Sequence, residues 1–96
     1  MTEEERNTAL FGSLIVMFQS AAMQHMGKIK NPATDKIERD LTQAQMMIDM
    51  LDMLSAKTKN NLTAEEARFL GDVLREVKLN YVDEQNKKAE MNKESS

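Results

Sequence analysis

The stretch from Leu41 to Leu54, LTQAQMMIDMLDML, constrains this chain more tightly than any other. At the helical period of about 3.6 residues it carries two apolar stripes rather than one. Leu41, Ala44, Met47, Ile48, Leu51 and Leu54 share one face. Met46, Met50 and Met53 recur at i, i+4 and i+7 on the opposite side, and Gln45, Asp49 and Asp52 mark an edge between the two. A helix that is apolar on two sides has to be covered on two sides.

The flanking segments supply two more helices. Asn7 to Met26 reads as helix one, centred on Leu10, Leu14, Met17 and Ala21. Phe11, Ile15, Phe18, Ala22 and Met26 widen its apolar face to about half the circumference, more than a one-sided surface helix carries. Gly12, Ser13, Ser20 and Ala21 are small enough to permit close helix approach. Gly27 then suits the position just past a helix end, and His25 and Lys28 suit the negative pole of the dipole. Thr2 and Glu5 have capping-box spacing, yet residues 1–6 read as a flexible terminus.

The connection 27–40, GKIKNPATDKIERD, breaks helical periodicity at Asn31-Pro32 and predicts a turn over Asn31 to Thr34. Ile29 and Ile37 are the expected anchors of this loop. Asp40 caps helix two over 41–57, with Gln43 at the capping-box position. Lys57 and Lys59 favour its C-terminus, and Asn60-Asn61 can supply a left-handed exit. Thr63 and Glu66 form the clearest capping box and open helix three over 64–86. Its stripe is Ala67, Leu70, Val73, Leu74, Val77 and Tyr81, while Phe69, Leu79 and Val82 lie off it. The polar residues 87–96 read as a disordered tail. The expected organisation is therefore a flexible 1–6, an all-α three-helix domain over 7–86, and the tail.

Composition bounds the function classes. Ninety-six residues leave room for one domain. Cysteine is absent, which removes disulfides, thiolate nucleophiles and Cys-based zinc sites. A formal net charge of −3 argues against nucleic-acid binding driven by phosphate contacts. The start, MTEEERNTAL, lacks the basic-then-apolar order of a signal peptide, and no apolar run approaches the roughly 20 residues that span a bilayer. A soluble, cytoplasmic protein without membrane contact is the expectation.

Candidate chemistry is sparse. Nine methionines could offer soft thioethers to Cu(I), although helical spacing of methionine is the pattern of packing or of an interface. His25, the one histidine, has no orienting acid nearby in sequence and sits where a helix dipole favours it. Asp49 and Asp52 lack the Glu-x-x-His partners of a helical di-iron site. Lys28, Lys30, Lys36 and Arg39 make the long connection locally basic, but Asp35, Glu38 and Asp40 offset them and no aromatics interleave. Ser13 and Ser20 can bond back to the preceding turn, and Tyr81 falls on the core stripe. No cofactor and no catalytic residue is expected.

The order of motifs also carries a resemblance. LFGSLIVMFQSAA, then MGKIKNPATDK, then IDMLDMLSAKTKNNLTAEEARFL, then LREVKLNYV is similar to the bacterial family known as domain of unknown function eighteen forty-four. The similarity covers roughly Phe11 to Val82, and its specific pieces are the GKIKNPAT loop and the junction Lys57 to Glu66. It implies a small helical protein and no assigned activity, substrate or catalytic residue.

Taken together, the residues point to a non-enzymatic protein-interaction module or structural homo-oligomer. A symmetric homodimeric helical bundle is the expected assembly, with Met46, Met50, Met53, Phe11, Ile15 and Phe18 at the interface. An unidentified protein partner is the other candidate occupant of that surface. The alternative function class is a small-ligand or metal-binding protein using the Met-rich faces.

Overall fold

The computed structural model describes the backbone of residues 1–95 and the side chains of residues 1–88. It holds three helices in chain order: α1 (Glu3–His25), α2 (Leu41–Lys57) and α3 (Ala64–Ser95). All three pack on one another around a single core of Ile15, Ala22, Met26, Ala44, Ile48, Leu51, Leu70, Val73 and Val77.

Capping residues set the boundaries. Thr2 Oγ1 accepts from Glu5 N at 3.0 Å, and Thr2 N donates to Glu5 Oε1 at 3.1 Å, a reciprocal capping box. Residues expected to form a flexible terminus therefore start α1 at Glu3. Three glutamates in the first turn, Glu3 to Glu5, favour that start through the helix dipole. Gly27 ends the helix at φ 81°, with Lys28 N donating to Met23 O at 2.9 Å.

α2 begins and ends where its sequence places it. Asp40 accepts from Gln43 N at 3.1 Å. At the far end Thr58 Oγ1 donates to Leu54 O at 2.7 Å, and Asn60 takes the left-handed conformation at φ 67°. Thr63 and Glu66 close a second reciprocal box at 3.1 and 2.8 Å, and α3 starts directly after it. The expected end of α3 at residue 86 is too early, because the helical backbone continues through Ser95. Residues 87–95 contain no Gly or Pro to stop it. Ser96, the last residue of the expected tail, lies outside the described residues.

On α2 the stripe Leu41–Leu54 faces inward as its spacing dictates, with Ala44, Ile48 and Leu51 buried. α1 is turned away from its expected orientation. Its buried residues are Ile15, Ala22 and Met26, with Phe11 and Phe18 packed against them. Leu10, Leu14 and Met17, expected as its apolar centre, point outward.

A candidate interaction surface on the first two helices

Two polar contacts fix where α3 lies relative to its neighbours. Gln19 Nε2 of α1 donates to Glu76 Oε2 at 3.1 Å, and Lys78 of α3 pairs with Asp52 of α2 at 2.8 Å. At 100° per residue, Met17 stands about 160° and Leu10 about 180° around α1 from Gln19. Met50 stands about 160° around α2 from Asp52. These positions share the side of the α1–α2 pair that faces away from α3. Leu10, Leu14, Met17 and Met46 are exposed there, and Met17 is 68% accessible. Met50 is half-buried on that side of α2.

No charge interrupts this surface along α1. From Asn7 to Gly27 there is no Asp, Glu, Lys or Arg on any face of the helix. The corner directly opposite the core carries Ala9, Ser13 and Ser20, all exposed. Ser13 Oγ donates to Ala9 O at 2.9 Å, so its hydroxyl is already satisfied by the turn before it. The corner therefore presents itself as a small, nearly apolar ridge.

The six residues expected at an interface divide three ways. Met46 and Met53 are about half exposed on the outer side of α2. Met50, Phe11 and Phe18 are partly covered, the two phenylalanines by the chain's own core. Ile15 is fully buried within one chain and is core, a correction to its expected place. Its stripe partners Ala22 and Met26 lie seven and eleven positions on, along the side of α1 that meets α2 and α3 together. Sequence reasoning assigned Leu10, Leu14 and Met17 to the interior, and these are the surface's largest exposed side chains on α1. The long uncharged run was the signal that could have found them.

The connection 27–40 is tied down differently from its expected anchoring. Ile29 and Ile37 are exposed rather than anchored. Instead, Asn31 organises a tight turn: Asn31 N donates to Lys36 O at 2.8 Å, Asp35 N to Asn31 O at 2.7 Å, and Ala33 N to Asn31 Oδ1 at 2.9 Å. The loop is then clamped to α3 by ions. Glu84, only 6% exposed, receives Lys28 at 2.9 Å, Lys87 at 3.0 Å and Arg39 Nε at 3.5 Å. Arg39 also donates to the Glu84 backbone carbonyl at 2.6 Å. The hydrogen bond from Lys28 holds the Glu84 carboxyl below its ordinary range against the opposing effect of burial, and Lys87 adds to it. Two of the four basic residues of the connection are thus spent within the fold. His25 sits half-buried at the end of α1, where its carbonyl accepts from Asp40 N at 2.7 Å.

A concavity of about 940 Å³, open to solvent, lies between the N-terminal turn of α1 and the α2–α3 junction. Thr2, Thr63 and Glu66 line it and already serve as caps. Among the described residues no group of His, Asp and Glu has metal-binding geometry, and no helix is long and apolar enough to cross a membrane.

Comparison with known proteins adds one finding. The family described as "Domain of unknown function (DUF1844)" matches residues 8–84. No curated protein and no solved structure matches the chain.

Proposed function

We propose, from the premise that this chain belongs to the DUF1844 family, that it is a non-enzymatic interaction module working in the cytoplasm as a homodimer. The outer face of α1 and α2 is its contact surface. One observation carries this reading: Leu10, Leu14, Met17, Met46 and Met53 are exposed beside a helix that bears no charge between Asn7 and Gly27. Monomeric soluble proteins keep contiguous apolar patches small, and a larger one marks a site of association. α1 is about 35 Å long, and two packed helices are about 20 Å across. A face of that size, on the order of 700 Å², is close to the roughly 800 Å² each partner contributes to a stable interface.

Methionine suits such a surface, because its unbranched thioether adapts to a facing side chain. In this reading the protein acts through association, with neither catalysis nor nucleic-acid binding, and the clamped 27–40 loop is structural. Light scattering on the purified chain tests it. A mass twice the 11.0 kDa of one chain at tens of micromolar is expected, and the mass of a single chain would refute it.

A further inference from the structure

We infer that the two-fold axis of the dimer passes through α1, so that α1 of one protomer packs antiparallel against α1 of the other. This rests on the association surface proposed above and goes further by fixing which helices meet and in which direction.

The distribution of charge places the axis. If it ran between α1 and α2, each α1 would lie over the partner's α2, and the far corner of α1 would stay in water. That corner is Ala9, Ser13 and Ser20, flanked by Met17 on one side and Val16 on the other, all exposed and all uncharged. The equivalent outer side of α2 differs, since the exposed Asp49 stands there beside Met46 and Met53. An axis through α1 covers a helix that lacks charge on every face from Asn7 onward and leaves Asp49 of α2 toward the rim. The small side chains at the corner let two helix backbones approach closely, and Met17, Leu10 and Val16 fill the grooves on either side.

Charge also sets the direction. The first turn of α1 holds Glu3, Glu4 and Glu5, while its other end leads through His25 to Lys28 and Lys30. A parallel α1 pair would bring both glutamate triplets and both positive dipole ends together, which is repulsive on each count. Antiparallel packing sets the glutamates of one protomer toward the basic end of the other. Pairing Ser13 with Ser20 of the partner centres the axis near Val16 and Met17, and it brings the first turn of α1 toward the partner's loop after α1, which carries Lys30. Lys30 is exposed and available for this, whereas Lys28 is already held by Asp83 and Glu84.

Spin labels read this arrangement directly, because the chain has no native cysteine to interfere. Arg6→Cys and Ser20→Cys would each be labelled, checked for helicity and dimer mass, and measured for the distance between the two labels in a dimer. At 1.5 Å per residue, the antiparallel pair predicts about 30 Å at position 6 and under about 20 Å at position 20. Short distances at both positions would mean a parallel pair and overturn the inference. Long distances at both, with dimer mass intact, would move the axis off α1 and overturn it while leaving the association surface standing. Monomeric mass for the unlabelled parent chain would sink both readings. Should the label at position 20 itself dissociate the dimer, Ser13→Cys replaces it with the same short distance expected, and should the label at position 6 do so, Asn7→Cys replaces it with about 28 Å expected.

Discussion

α1 and α3 are both long helices of one small bundle, and they treat water in opposite ways. α3 buries Leu70, Val73 and Val77 and turns Glu65, Arg68, Asp72, Arg75 and Glu76 toward solvent, so the apolar residues it exposes, Phe69, Leu79 and Val82, stand among charges. α1 buries Ile15, Ala22 and Met26 but leaves Leu10, Leu14, Val16 and Met17 exposed with no charged residue among them. The difference is that α1 contributes to the core and still carries an exposed apolar side free of charge. α3 is completed by water. In the proposed reading α1 is completed by another surface, whereas Leu79 and Val82, exposed neighbours at i and i+3 on α3, are bordered by Arg75, Glu76, Lys78 and Asp83.

The largest expected effect separates core from surface. Leu51→Lys places an ammonium among Ile15, Ile48 and Val77, and its cost of about 4 kcal/mol or more should abolish the helical signal in circular dichroism. A soluble, fully helical Leu51→Lys chain would mean that the inner stripe of α2 is misassigned.

Met50→Lys should act one level up. It leaves the core intact and puts a charge on the outer face of α2. Helicity is expected to stay near that of the parent, while dimer affinity falls at least about 100-fold, or about 3 kcal/mol. Loss of helicity in step with loss of mass would erase the distinction between the two faces.

Smaller still is the clamp on α3. Glu84→Ala leaves Lys28, Arg39 and Lys87 facing an empty site, but these cations are partly exposed and water screens them. About 1–2 kcal/mol of stability should be lost in urea titration, with dimer mass retained. The same residue gives a pH dependence. Its folded-state carboxyl is held below the ordinary value near 4.5, so the unfolded chain binds the proton more readily. The stabilisation is therefore present above that value and is lost as the pH falls through the lower folded value. Glu84→Gln should flatten the acid limb of the stability profile, and an unchanged limb would remove Glu84 from this role.

How much of this was legible in the sequence varied with how one-sided each element is. α2 could be read in full because its inner stripe is continuous and Asp40 and Lys57 bracket it. The capping box at Thr63 marks the start of α3, and the same spacing at Thr2 outweighs the general tendency of termini to fray. On α1 the periodicity had no charged side to contrast with, so nothing local distinguished the Leu10–Met17 side from the Ile15–Met26 side. Packing against two neighbours made that choice. Ile29 and Ile37 misled for a different reason. The side-chain and backbone groups of Asn31, together with the ion pairs of Lys28 and Arg39 to Glu84, hold the loop without them. Glu84 itself could have been found, because it continues the register of Leu70, Val77 and Tyr81 at a position where a leucine would be expected.

The most direct test of the central claim is a paired mass measurement. Met17→Lys on α1 and Leu79→Lys on α3 make the same change at side chains of nearly equal exposure, 68% and 65%. Sedimentation at tens of micromolar should show Met17→Lys as a folded monomer and Leu79→Lys as an unaltered dimer. Equal masses for the two variants, whether both monomeric or both dimeric, would contradict the account.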